Sequence, residues 1–124
     1  MMRRRGFLGG SAAAGLAAGS AAAAQPMYGL IGKMLARPGQ RERLIGLLTA
    51  ETGGMPGCLS YIVAADAKDP DAIWITEVWD SPASHQASLK LASVQATIAE
   101  ARPLIAGFGE RFETVPVGGV GRRA

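Results

Sequence analysis

Reactive side chains are scarce in this sequence of 124 residues, which holds one cysteine, Cys58, and one histidine, His85. A single cysteine excludes an internal disulfide framework. One residue of each kind also cannot supply the three or four ligands of a protein-held zinc site without a partner chain. Flanked by Gly57 and Leu59 in an apolar run, Cys58 reads as a small buried hydrophobe rather than a reactive thiol. No Gly-x-Ser-x-Gly elbow surrounds Ser84 or Ser88, which argues against serine hydrolysis. The glycines at 118, 119 and 121 are followed by no helix pattern, so they form a tail rather than a phosphate loop. Repeats of solenoid length are missing too.

Net charge is also lacking once the first residues are set aside. Thirteen Lys and Arg face ten Asp and Glu, but Arg3, Arg4 and Arg5 account for the whole excess. From Gln25 onward the chain has ten of each sign and is neutral. No later stretch interleaves basic clusters with aromatics, so nothing points to nucleic acid.

What is present at the N-terminus is the layout of an export signal: Arg3-Arg4-Arg5, then Gly6-Phe7-Leu8, then an Ala/Gly run ending at Ala24. The Arg pair and the weakly hydrophobic middle resemble a twin-arginine signal. A span needs about 20 strongly apolar residues, and this run is mostly Ala and Gly, so no stable membrane span is expected after cleavage before Gln25. The expected organisation is a signal over 1–24, one domain over 25–117 and a Gly-rich flexible tail over 118–124, in a periplasmic or secreted protein. The hundred residues from Gln25 build only a modest core, which favours burying further surface in a homodimer.

Along the domain, "MYGLIGKML" (Met27 to Leu35) reads as a strand ended by Arg37-Pro38-Gly39. "QRERLIGLLTAE" then places Leu44, Leu47 and Leu48 at helical spacing. A second apolar run starts at Gly57, the turn "AKDPDA" follows, and "IWITEVW" (Ile73 to Trp79) is the clearest strand pattern. Its alternation sends Ile73, Ile75, Glu77 and Trp79 to one face and Trp74, Thr76 and Val78 to the other. Both faces are thus apolar, which calls for helices on one and a second layer, such as another subunit, on the other. Ser81 as N-cap and Pro82 at the first turn begin a second helix, with Ala87, Leu91, Val94, Ile98 and Ala101 as its buried stripe and Pro103 as its end. A last strand over Gly109 to Val117 completes β-α-β-β-α-β, the split arrangement of an α+β fold.

The segments "PGCLSY" (Pro56 to Tyr61), "DPDAIWITEVW" (Asp69 to Trp79) and "SPASH" (Ser81 to His85) together resemble the antibiotic biosynthesis monooxygenase family. The resemblance implies a ferredoxin-like protomer and a homodimer whose two sheets pack into an α/β barrel. It also implies oxidation of quinols or polycyclic phenols by O₂ with no metal or flavin cofactor. The fold group includes haem-degrading members and members without known activity, and fold alone does not choose among them. Relatives carry a histidine nine positions after the tryptophan, where this chain has Ser88. His85 stands where they carry a bulky apolar residue, so its role has to come from its own setting.

The candidate site residues are His85 as catalytic base and Trp79, Tyr61 and Trp74 as substrate contacts. A helix N-terminus disfavours a cation, so an imidazole near one keeps the form that takes a proton, and a base that ionises a phenol leaves an electron-rich ring that can reduce O₂. The tryptophans offer flat apolar walls, and Tyr61 offers a hydrogen-bond donor to a quinone oxygen. Glu77, in an otherwise apolar strand, requires a partner such as Arg102 or Arg111. The rival expectation is a non-catalytic dimer that sequesters a hydrophobic small molecule or haem.

Overall fold

Strands rich in Ile, Val and Trp alternate with two amphipathic segments, and the resulting layers bury one face of a sheet. The computed structural model describes residues 25–50 and 54–121. The expected export signal and the last residues of the expected tail lie outside the described residues. The order is β1 (Tyr28–Ala36), α1 (Arg41–Ala50), β2 (Cys58–Ala65), β3 (Ala72–Trp79), α2 (Pro82–Ser88), α3 (Ala92–Ala101), a 3₁₀ turn (Arg102–Leu104) and β4 (Ile105–Thr114). The sheet runs β2-β3-β1-β4 with every neighbour antiparallel. β1 and β2 are therefore parallel with β3 between them, and β3 and β4 are parallel with β1 between them. Two interleaved split βαβ units of this kind make the ferredoxin-like α+β fold.

The core lies where α1 and α3 cover the sheet. Leu44 and Ile73 are fully buried, and Ala36, Ala101 and Leu104 close around them. Burying a leucine of this kind stabilises the fold by roughly 1.5–3 kcal/mol, which explains why the short α1 holds its place. Among the described residues no helix is long and apolar enough to cross a membrane.

Two boundaries differ from the sequence reading. The last strand starts at Ile105 and ends at Thr114, earlier than Gly109 to Val117. Helix α3 stops at Ala101, and the turn through Pro103 feeds straight into pairing with β1 at Ala36. The long second helix is broken as well. Ser88 Oγ donates to the His85 carbonyl at 2.7 Å, and the amides of Leu89, Lys90 and Leu91 each bond three residues back, to Gln86, Ala87 and Ser88. Side-chain back-bonding and this tightened turn end α2. Gln95 Nε2 then donates to the Leu89 carbonyl at 2.5 Å and ties the restart to the break. The new phase exposes Ala87, an expected member of the buried stripe, and buries His85 and Ser88 instead.

The start of α2 is as read from the sequence: the Ser84 amide donates to Ser81 Oγ at 3.2 Å, with Pro82 in the first turn. Gly57 holds this end in place. Its φ is +86°, and a Cβ there would lie 2.5 Å from Ser84 Oγ and 2.9 Å from Asp80 Oδ1. Left-handed strain and this clash together are expected to cost Gly57→Ala about 3 kcal/mol. Thermal melts of the variant check this, and an unchanged Tm would show that the loop relaxes freely.

The β2–β3 loop is organised by Asp66. Its carboxylate accepts from the amides of Lys68 and Asp69 at 2.8 Å and from Trp74 Nε1 at 2.7 Å. The Asp69 amide, then the Lys68 amide, then the indole hold its carboxyl well below the ordinary value, at about 2. A depressed carboxyl adds stability above its unfolded value, and that stability is lost as pH falls through the folded one. Tm should therefore fall between about pH 4 and pH 2, and Asp66→Asn should flatten that slope, as calorimetry at stepped pH would measure.

Candidate active site

Strand β3 supplies the floor of a cavity, and the E-x-W spacing places Glu77 and Trp79 on its helix-facing side. Trp79 Nε1 donates to Glu77 Oε1 at 2.9 Å. Trp79 is 1 % exposed, so the indole is a packed wall whose polar edge orients the carboxylate. Register then brings in β2: Tyr61 stands opposite Glu77.

Helix α2 adds His85, which is 7 % exposed. Its Nε2 lies 3.9 Å from Glu77 Oε1, while Nδ1 is buried with no hydrogen-bond partner among the described residues. The imidazole meets the Trp79 ring edge-on at 5.4 Å between centroids and tilts against Tyr28 at 5.1 Å. Two aromatic rings thus pack against the imidazole, with the carboxylate close by. Tyr61, Glu77, Trp79, His85, Ser88 and Leu89 line one cavity of about 200 Å³.

The electrostatics favour a donor and an acceptor facing one small volume. Burial, reinforced by the Glu77 carboxylate and by Cys58, pushes Tyr61 up to about 12, so its hydroxyl stays a donor at neutral pH. Burial also raises the half-buried Cys58 thiol above its ordinary value, and Sγ lies 3.6 Å from the Ser60 carbonyl. That keeps it a thiol and makes it a poor nucleophile. Among the described residues no three His, Cys, Asp or Glu cluster as metal ligands. Ser88 Oγ is engaged with the His85 carbonyl.

Of the four candidate site residues, the structure brings His85, Trp79 and Tyr61 together and leaves Trp74 apart. Trp74 points to the other face of the sheet, where its Nε1 meets Asp66 and Lys33 Nζ sits 5.6 Å from its ring centroid. The partner of Glu77 is corrected too. Neither Arg102 nor Arg111 reaches it: Arg111 lies on edge strand β4, 3.8 Å from Glu113, and Arg102 is exposed beyond α3. A neighbour two residues along the same strand and a histidine across the cavity take that place. Tyr28 was not read from the sequence as part of the site. It stands opposite Trp79 in the β1–β3 register, and its hydroxyl donates to Glu113 at 2.6 Å. Only strand pairing, which a lone sequence does not display, could have found it.

The sheet order, the cavity under α2 and the E-x-W floor define a ferredoxin-like α+β protein with a cavity between sheet and helices. The family model described as antibiotic biosynthesis monooxygenase matches residues 27–100, and this chain belongs to that family. A solved structure from Chloroflexus aurantiacus J-10-fl, named provisionally as an antibiotic biosynthesis monooxygenase, is 70% identical, covers 75% of this chain and 95% of that one, and superposes with a TM-score of 0.73. A protein from Caulobacter crescentus CB15 with the same provisional name is 18% identical over 82% of this chain and 99% of its own, with a TM-score of 0.66. One from Deinococcus radiodurans is 24% identical over 75% and 95%, with a TM-score of 0.63. The last two show the fold alone. No curated protein matches this chain.

Proposed function

We propose that this protein is an exported, homodimeric oxygenase that oxidises a quinol or related electron-rich phenol with O₂, with no metal or flavin. The observation that carries the reading is the buried His85, whose Nδ1 has no partner among the described residues, beside the Glu77 carboxylate and the protonated Tyr61 in one cavity. The N-terminal arginines and Ala/Gly run support export to the periplasm or beyond.

In this reading His85 takes the proton of the substrate hydroxyl, and Glu77 stabilises the imidazolium that forms. Tyr61 donates to a second substrate oxygen and holds the ring in place. The phenolate transfers an electron to O₂, the resulting radicals join in a carbon–oxygen bond, and the hydroperoxide breaks at its O–O bond. One oxygen atom stays on the ring and the other leaves as water with the proton returned by His85. A hydroquinone and one O₂ thereby become one hydroxyquinone and one water. An apolar cavity of about 150 Å³ holds a benzene, so the cavity of about 200 Å³ that holds His85 suits a head of one or two fused rings.

An oxygen electrode with a reduced naphthoquinol tests the proposal. After autoxidation is subtracted, the purified protein should consume one O₂ per quinol. Ligand binding with no uptake would replace the enzyme with a sequestering protein.

The proposed partner is a second copy. Ile62, Thr76, Ile31 and Phe112 lie in register across the outer sheet face, and Ile62 and Phe112 remain 58 % and 53 % exposed. A mostly apolar row crossing a whole sheet suits a second sheet packed against it. Phe112→Glu should convert a dimer into a monomer in sedimentation. A wild-type monomer would sink this part of the proposal.

A further inference from the structure

The cavity holding His85 adjoins a larger one. Met34, Leu48, Thr97 and Ile98 line both, and beyond them the second is enclosed by Ala101, Arg102, Ile105, Ala106, Gly107 and Phe108. Its volume is about 490 Å³ against about 200 Å³ for the first. The larger space is not the better candidate for the chemistry, because among the described residues the exposed Arg102 is its only ionisable group, while His85, Glu77 and Tyr61 all line the smaller.

The difference in walls indicates two halves of one ligand. The smaller cavity presents a base, a carboxylate and a hydroxyl donor, which suit a ring bearing oxygens. Among the described residues the larger presents aliphatic and aromatic groups, with the hydroxyl of Thr97 on the shared wall. Met34 connects them: its unbranched thioether lines both cavities, and such a side chain adapts readily to a passing ligand. Phe108 adds a second observation. It is 72 % exposed on edge strand β4, with its ring lining the larger cavity, so apolar surface is left there for a ligand to cover.

We infer that the larger cavity takes an aliphatic chain carried by the aromatic head, so that the substrate class is an alkyl- or prenyl-substituted phenol or hydroquinone. The inference rests on the head-group site proposed above. A chain of this kind gains affinity by burying methylenes, each worth up to about fourfold when wholly removed from water. The cavity is open on one side, so about two- to fourfold per methylene is expected until the chain reaches the mouth near Phe108, where the gain should level off.

Calorimetric titration of the intact protein, without oxygen, with para-alkyl hydroquinones from methyl to heptyl reads this directly. The expected result is a steady fall in Kd along the series, and a shallower fall in Phe108→Ala with the Kd of the methyl compound unchanged. Because Phe108 is exposed, its removal should leave the fold intact, which a melt confirms. Equal affinity for every chain length, with the head still bound and oxidised, would overturn the chain site and leave the proposed reaction standing. A steep series in a protein that consumes no O₂ would support the chain site while overturning the reaction. Failure of every member to bind would overturn both.

Discussion

His85→Ala should lower enzyme-dependent O₂ uptake with a quinol by about 10²–10⁴-fold, the usual contribution of a positioned general base. The side chain sits between Tyr28 and Trp79, with Nε2 3.9 Å from the Glu77 carboxylate, so the loss belongs to the reaction step more than to binding. Anaerobic Kd for the quinol should change little. Glu77→Gln should cost less, roughly tenfold to a hundredfold, as expected of a group acting through the base. Raising pH should restore part of the His85→Ala rate, because solvent then ionises the phenol without help. A variant that consumes O₂ at the wild-type rate would remove His85 from the mechanism altogether.

Trp79→Ala should lower stability by about 3–5 kcal/mol, the range for deleting a fully buried aromatic. Trp79 is among the largest side chains buried without remainder. Its loss opens a hole between β3 and α2 and removes the donor that orients Glu77. For a domain of this size the midpoint should drop by roughly 10–40 °C. Trp79→Phe refills most of the hole, so its stability loss should be smaller. It still lacks the indole N–H, so its activity should fall further than its Tm suggests. Equal melting of wild type and Trp79→Ala would mean that the strand end is far looser than its burial indicates.

The element order was legible because each piece carries a local signal. β-branched and aromatic runs mark β3, leucine spacing marks α1, and Ser81-Pro82 marks the start of α2. The alternation of β3 alone placed Glu77 and Trp79 on one face and Trp74 on the other. That pair of statements already contains half of the site.

The remaining half depends on contacts between residues distant in sequence. Tyr61 joins Glu77 only through the β2–β3 register, and Tyr28 joins His85 only because β1 pairs with β3. The partner of Glu77 could not be read from charge, since the arginines considered for it lie on an exposed helix end and an edge strand. Helical periodicity, carried unbroken to Ala101, also placed Ala87 inside. The turn at Leu89 to Leu91 reversed that and buried His85, because a serine hydroxyl bonding back to a carbonyl outweighed a weak stripe.

By itself, then, the sequence determined the split β-α-β-β-α-β order, the neutral charge from Gln25 onward, the family resemblance and the shared face of Glu77 and Trp79, since composition and short-range spacing suffice for each. Only the tertiary structure decided that His85, Glu77 and Tyr61 face one cavity while Trp74 stays outside it, because strand register and the phase of a broken helix are set by long-range packing.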